Sequence, residues 1–178
     1  MIKSINPIRD YMAMNTQKVL KLRKKIQDSN LIVLGLLRRI RYNRLLFRCQ
    51  SFFPLSKSIS NDIVFPHGLS GVFISNGAII NSGCVIFQQV TIGGNSLSDS
   101  KNCGFPTIGK NCYIGAGAKI IGNVKIGDNV RVGANTVVTM DVPDNATVVG
   151  SKSRIIEHNQ IRNNEFKAYQ KKKKDYEK

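Results

Sequence analysis

Two histidines and four cysteines are the side chains of this sequence with the widest chemical range, and their positions discard most of that range. A zinc centre built on three histidines is excluded by number, because the only imidazole besides His67 is His158, far along the chain. Cys49, Cys84, Cys103 and Cys112 show no CxxC spacing, so neither a metal site nor a disulfide framework is expected. Reduced thiols point to the cytoplasm. What remains is His67, in the context P-H-G-L-S-G-V. An imidazole titrates in the range where it can take a proton from an alcohol in a transition state. By itself, a single histidine is more often structural than catalytic.

The element that positions His67 is written in a six-residue period. Aliphatic residues stand at Ile74, Ile80, Ile86, Ile92, Ile108, Ile114, Ile120, Ile126, Val132 and Val138. Small or β-branched residues, among them Ala78, Cys84, Val90, Cys112, Ala118 and Thr136, follow four places later. This period fits neither the 3.6 of an amphipathic helix nor the alternation of a simple strand, but it fits a triangular coil of parallel strands. Gly and Asn stand at the corners, where the backbone needs positive φ. Cys84 and Cys112 occupy the small slot and read as buried apolar side chains.

The excess charge lies outside the repeat. Residues 1–57 carry thirteen Lys or Arg against two acids, residues 58–149 five against five, and residues 150–178 nine against four. We therefore divide the chain into a basic helical segment (1–55), a β-helix domain (56–156) and a basic tail (157–178). The first helix starts at Asn6-Pro7 and the second at Asp28-Ser29-Asn30. In the second, Leu36, Ile40 and Phe47 share one face, while Arg41, Arg44 and Arg48 line another. That face packs on the coil or a sister subunit, or lies on an anionic membrane; nucleic acid is not an expected partner. No signal peptide is visible, and the apolar run Leu31–Leu37 is too short to span a bilayer.

The period is broken once. Sixteen residues separate Ile92 from Ile108 where six would do, so residues 94–105 must leave the coil as a loop. Long loops on rigid repeats often carry function.

Four stretches together resemble a known family: HGLSGVFIS (67–75), QQVTIGG (88–94), PTIGKNCYIGAGAKIIGNVKIGDNVRVGANTVV (106–138) and DVPDNATVVGSKSRII (141–156). They are similar to the serine acetyltransferase-like branch of the hexapeptide-repeat acyltransferases, which includes O-acetyltransferases of capsule and O-antigen sugars. The resemblance implies an all-β core in a left-handed parallel β-helix, against the usual right-handed rule for crossovers. It also implies a homotrimer that binds acetyl-CoA, without metal, in grooves between adjacent coils. His67 matches the catalytic histidine. Gly94, Ala116, Ala134 and Lys152 match positions that contact acetyl-CoA, and the Gly93-Gly94 turn offers an N–H to an oxyanion.

The departures from serine acetyltransferase bear on the acceptor. In the family an aspartate precedes the histidine, a second carboxylate orients the ring, and an Arg-His pair ends the loop. Here Pro66 precedes His67, Phe52 falls at the orienting position, and Gly104-Phe105 replace Arg-His. Asp62 is a substitute candidate for orienting the ring. Without charges to pair a zwitterion, the acceptor is expected to be a sugar hydroxyl of a bacterial surface polysaccharide or its precursor, with Phe105 stacking on the sugar. The alternative is serine itself; an amino-sugar N-acetyltransferase and a non-catalytic scaffold are lesser ones. The protein is expected in the cytoplasm, with a peripheral place on the inner face of the membrane as the alternative.

Overall fold

The structure, a computed structural model, describes residues 7–28 and 32–151, with side chains placed from 15 to 28 and from 35 to 151. Lys152, His158, the tail 157–178 and the helix starts at Asn6 and Ser29-Asn30 lie outside the described residues.

The hexads wind into a left-handed parallel β-helix. Its first face stacks β1 (Phe73–Ile74), β4 (Thr91–Gly93), β7 (Lys119–Ile121) and β10 (Val137–Val138). Its second face stacks β2 (Ile79–Ile80), β5 (Thr107–Ile108) and β8 (Lys125–Ile126). Its third face stacks β3 (Val85–Ile86), β6 (Tyr113–Ile114), β9 (Arg131–Val132) and β11 (Thr147–Val148). All pairings within these faces are parallel. The register stacks like on like: Ile74 pairs with Ile92, Ile92 with Ile120, and Ile80 with Ile108.

The core follows from that register. All ten aliphatic hexad positions are buried, as are Ala78, Cys84, Val90, Cys112, Ala118, Val124, Val130 and Thr136 four places on. The Cys84 thiol donates to Gly109 O at 3.2 Å and the Cys112 thiol to Gly127 O at 3.1 Å, so both serve as small packing groups with a weak donor.

Positive φ recurs on every turn at two of the three corners, and once at the third, at Gly122 between the first and second faces. Between the second and third faces, Gly83, Asn111, Asn129 and Asn145 adopt it; between the third and first, Gly71, Gln89, Gly117 and Asn135 do. Gln89 is the exception in residue type, a side chain with no special tolerance of the left-handed region at φ 59°.

Two helices, α1 (Pro7–Gln27) and α2 (Ile32–Arg48), precede the coil. Of the places expected for the apolar stripe of α2, the coil of its own chain is excluded. Tyr42, Leu45 and Leu46 are buried, at i, i+3 and i+4, with Cys49 half-buried just beyond, whereas Leu36, Ile40 and Phe47 face outward. Tyr42 closes the joint, its hydroxyl donating to Phe53 O at 2.6 Å.

Arg23 locks α1 to the start of the coil. It is fully buried and donates from Nε to Pro54 O at 3.0 Å and from Nη2 to Ser56 O at 2.6 Å and Ile59 O at 2.9 Å. Nη1 donates to Asn61 Oδ1, and the guanidinium lies 4.8 Å from the centre of the Phe53 ring. One side chain thereby satisfies the carbonyls of a segment that has entered the coil but does not yet pair along its whole length.

Candidate active site

The corner joining the third face to the first carries the chemistry. Nine residues separate Val64 from Phe73 there, against six from Val85 to Thr91 on the next turn, so the corner bulges at His67. Leu69 and Val72 are buried and anchor the bulge, Gly68 and Gly71 take its positive φ, and the His67 ring is left exposed.

What holds the ring is Gln88, on the same corner one turn along. His67 Nδ1 lies 2.8 Å from Gln88 Oε1. An amide oxygen only accepts, so Nδ1 carries the proton and Nε2 is left with its lone pair, the tautomer a general base requires. The ring also stands edge-on to Phe87, with centroids 5.2 Å apart and planes at 88°, and Phe87 leans on Tyr113 at 5.0 Å. An amide and an aromatic wall thus fix the imidazole.

Neither position considered from the sequence takes this role. Asp62 sits at a different corner, accepting from Ser60 Oγ and from Gly83 N, and those bonds hold its carboxyl below the usual carboxylate range. Phe52 bridges Phe73 on the first face. Gln88 escaped the sequence reading because only carboxylates were sought. The signal was available in the period, which sets Gln88 in the hexad position of Ala116 and Ala134.

The same corner continues as a column of small residues. Gln88 O accepts from Gly117 N at 3.0 Å, and Ala116 O accepts from Asn135 N at 2.8 Å, so the corners of successive turns are bonded directly. Gly115 admits no side chain: a Cβ there would meet Ala134 N at 2.7 Å. Where the column ends, a cleft of about 640 Å³ is lined by Gly133, Ala134, Asn135, Val149, Gly150 and Ser151. Lys119 adds a cation to the corner, its Nζ donating to Gln89 O at 2.7 Å. Such a column, narrow in side chains and rich in backbone, fits an extended thioester arm approached by main chain.

Gly94 is not brought to this corner. It follows β4, so from Val90 at the His67 corner to Gly94 runs four residues of extended chain, about 13 Å. The Gly93-Gly94 turn therefore cannot serve the His67 of its own coil.

The extruded loop leaves at Gly94 and closes on a pair of backbone bonds between Asn95 and Gly104, both 2.8 Å. It then lies along the coil, with Asn102 Nδ2 donating to Thr139 O at 2.7 Å. Phe105 is its anchor. The ring fills a notch made by two glycines, since a Cβ on Gly77 would stand 2.3 Å from it and one on Gly94 2.5 Å.

Among the described residues no three His, Cys, Asp or Glu side chains converge as metal ligands, and no helix is long and apolar enough to cross a membrane.

Comparison with known proteins points to a hexapeptide-repeat family and to serine acetyltransferases. The bacterial transferase hexapeptide family (six repeats) matches residues 105–139. The serine acetyltransferase of Synechococcus elongatus is 43% identical over 104 residues, 58% of this chain and 41% of that protein. The serine acetyltransferase of Buchnera aphidicola is 42% identical over 117 residues, 66% of this chain and 43% of that protein. Among solved structures, serine acetyltransferase isoform 3 of Entamoeba histolytica, in complex with cysteine, is similar with a TM-score of 0.64 and 29% identity over 82% of this chain and 51% of its own. A serine acetyltransferase in complex with CoA is similar with a TM-score of 0.59 and 27% identity, over 80% of this chain and 55% of its own. The chain thus spans about two fifths of the curated relatives and about half of the structures it matches.

These relatives overturn the expectation of a polysaccharide acceptor, because they are serine acetyltransferases at 42–43% identity, with a serine acetyltransferase structure at 29%. Phe105 rests against Gly77 and Gly94 with about half of its surface exposed.

Proposed function

Since the chain is a serine acetyltransferase-like hexapeptide-repeat protein, we propose that it is an acetyl-CoA-dependent serine O-acetyltransferase acting in the cytoplasm. The observation that carries the reading is the convergence, on one corner, of a tautomer-fixed imidazole and a column of small residues ending in a cleft.

Acetyl-CoA supplies an activated acetyl group as a thioester. Ala116 and Ala134 line its path by main chain, with Lys152 taking a phosphate, and His67 stands at the head of the column. Nε2 of His67 accepts the proton of the serine hydroxyl as that oxygen attacks the carbonyl carbon. The imidazolium then returns the proton to the departing sulfur, so the products are O-acetylserine and free thiol. Negative charge on the carbonyl oxygen calls for a fixed N–H donor. The Gly93-Gly94 turn remains the candidate only if it comes from a neighbouring coil, which supports a site shared between copies in a homotrimer. Serine's ammonium and carboxylate are not met by residues 66, 104 and 105, and Lys119 is the cation proposed to meet the carboxylate.

The test is release of CoA by the purified chain with serine, amino sugars and glycans offered separately. Turnover with serine at kcat/KM of about 10⁴ M⁻¹s⁻¹ or better, the ordinary range for a true substrate, is expected. Turnover with none but an amino sugar, giving a product stable to mild base, would replace the reading with N-acetylation.

A further inference from the structure

The face of α2 turned away from the protein has a composition of its own. Leu36, Leu37, Ile40 and Phe47 are 59%, 60%, 56% and 86% exposed, on a helix whose opposite side is closed by Tyr42, Leu45 and Leu46. At 3.6 residues per turn Leu36, Ile40 and Phe47 fall within about 40° of one another. Arg39 stands on one side of that stripe and Arg41, Arg44 and Arg48 on the other, and α2 contains no Asp or Glu at all. Arg38, by contrast, turns back toward the protein, donating to Lys25 O at 3.2 Å.

We propose that this face docks the protein on an anionic lipid bilayer, with the helix lying in the plane of the interface. Leu36, Ile40 and Phe47 enter the boundary of the acyl region, and the flanking guanidinium groups meet headgroup phosphates. The charge pattern selects this occupant over the others available. A second copy of α2 would set arginines against arginines with no acid to answer them. Residues 150–178 carry nine Lys or Arg against four acids and bring the same sign. A nucleic acid would satisfy the arginines but leave the apolar stripe in water.

The experiment uses the full chain and vesicles of phosphatidylcholine with or without about a third phosphatidylglycerol. The chain has no tryptophan, so Phe47→Trp installs a single reporter. Co-sedimentation at low salt is expected only with the anionic vesicles, falling at least tenfold in strong salt, and the reporter's emission should shift to the blue and be quenched by brominated lipid tails. The pair Ile40→Ser and Phe47→Ser should reduce binding at least tenfold while circular dichroism and CoA release in solution stay unchanged. Absence of binding at low salt would overturn the proposal. So would binding indifferent to the two serines, which would assign the attraction to another basic segment. A particle mass in solution that falls when the serines are introduced would assign the face to a second copy instead.

Discussion

Gln88 Oε1 lies 2.8 Å from Nδ1 of His67 and occupies the place where a carboxylate would orient a catalytic imidazole. A neutral amide fixes the tautomer as a carboxylate does but offers the imidazolium no charge to lean on. Gln88→Ala is therefore expected to lower kcat by about 10–100-fold with little change in KM for acetyl-CoA, and His67→Ala by about 10²–10⁴-fold, the range for a lost general base. Gln88→Glu separates positioning from mere packing. It should restore most of the rate lost in the alanine variant while moving the acid limb of the kcat/KM profile to higher pH. Equal losses in both variants, with no movement of the limb, would make Gln88 a structural neighbour only.

The buried guanidinium of Arg23 governs stability. Replacing it by methionine keeps much of the side-chain volume but strands the carbonyls of Pro54 and Ile59, while Ser56 O keeps its bond from Gln27 Nε2 at 3.2 Å. Unsatisfied buried acceptors cost about 1–3 kcal/mol each, so Arg23→Met should lose about 2 kcal/mol or more in urea unfolding. Its effect on kcat should be small, because the clamp acts on the start of the coil and not on the His67 corner.

Gln89 makes the opposite prediction. Its φ of 59° is matched on the same corner by Gly71, Gly117 and Asn135, residue types suited to the left-handed region. Gln89→Asn relieves a strain of about 1 kcal/mol, the usual penalty for an ordinary side chain there. The thermal midpoint should rise by about 2–4 °C. An unchanged or lower midpoint would mean that the contact of Gln89 with Gly71, or the bond from Lys119 to its carbonyl, outweighs the strain.

How much of this was legible in the sequence depended on period. The hexad dictated the coil because ten aliphatic positions at fixed spacing have one burial solution, and each of them is buried. The asparagines at 111, 129, 135 and 145 announced their corners for the same local reason. Two things escaped. The face that α2 turns to its own coil was not legible because the sequence holds two apolar stripes, and only the tertiary partner decides between Tyr42-Leu45-Leu46 and Leu36-Ile40-Phe47. The orienting group of His67 could not be read, with Asp62 only a candidate, because the contact with Gln88 spans 21 residues and joins successive turns. The acceptor was read from missing charges at positions 66, 104 and 105, and an absence at three positions proved weaker than similarity over a hundred residues.

The notch under Phe105 offers a double-mutant cycle. Gly77→Ala alone places a Cβ 2.3 Å from the ring, so the ring and the loop stem must shift, at about 1–3 kcal/mol for an overpacked site. Once Phe105→Ala has emptied the notch, the same methyl group meets open space. The two substitutions should therefore couple by at least about 1 kcal/mol in the favourable direction. Additive losses in chemical denaturation would place the ring elsewhere in solution.

Ala134 tests the column of small residues. Its side chain is exposed, so enlarging it disturbs no core packing and should change stability by less than about 0.5 kcal/mol. A branched side chain there would nonetheless project into the cleft that Ala134 lines with Gly133 and Gly150. If acetyl-CoA runs along this corner, Ala134→Leu should raise its KM by about tenfold or more while KM for serine is nearly constant, since the substitution lies three turns from His67 and blocks the arm without touching the base. Direct titration of CoA by calorimetry provides the same comparison without turnover. Unimpaired CoA binding in Ala134→Leu would move the cofactor off this corner and remove the alignment on which the role of His67 depends.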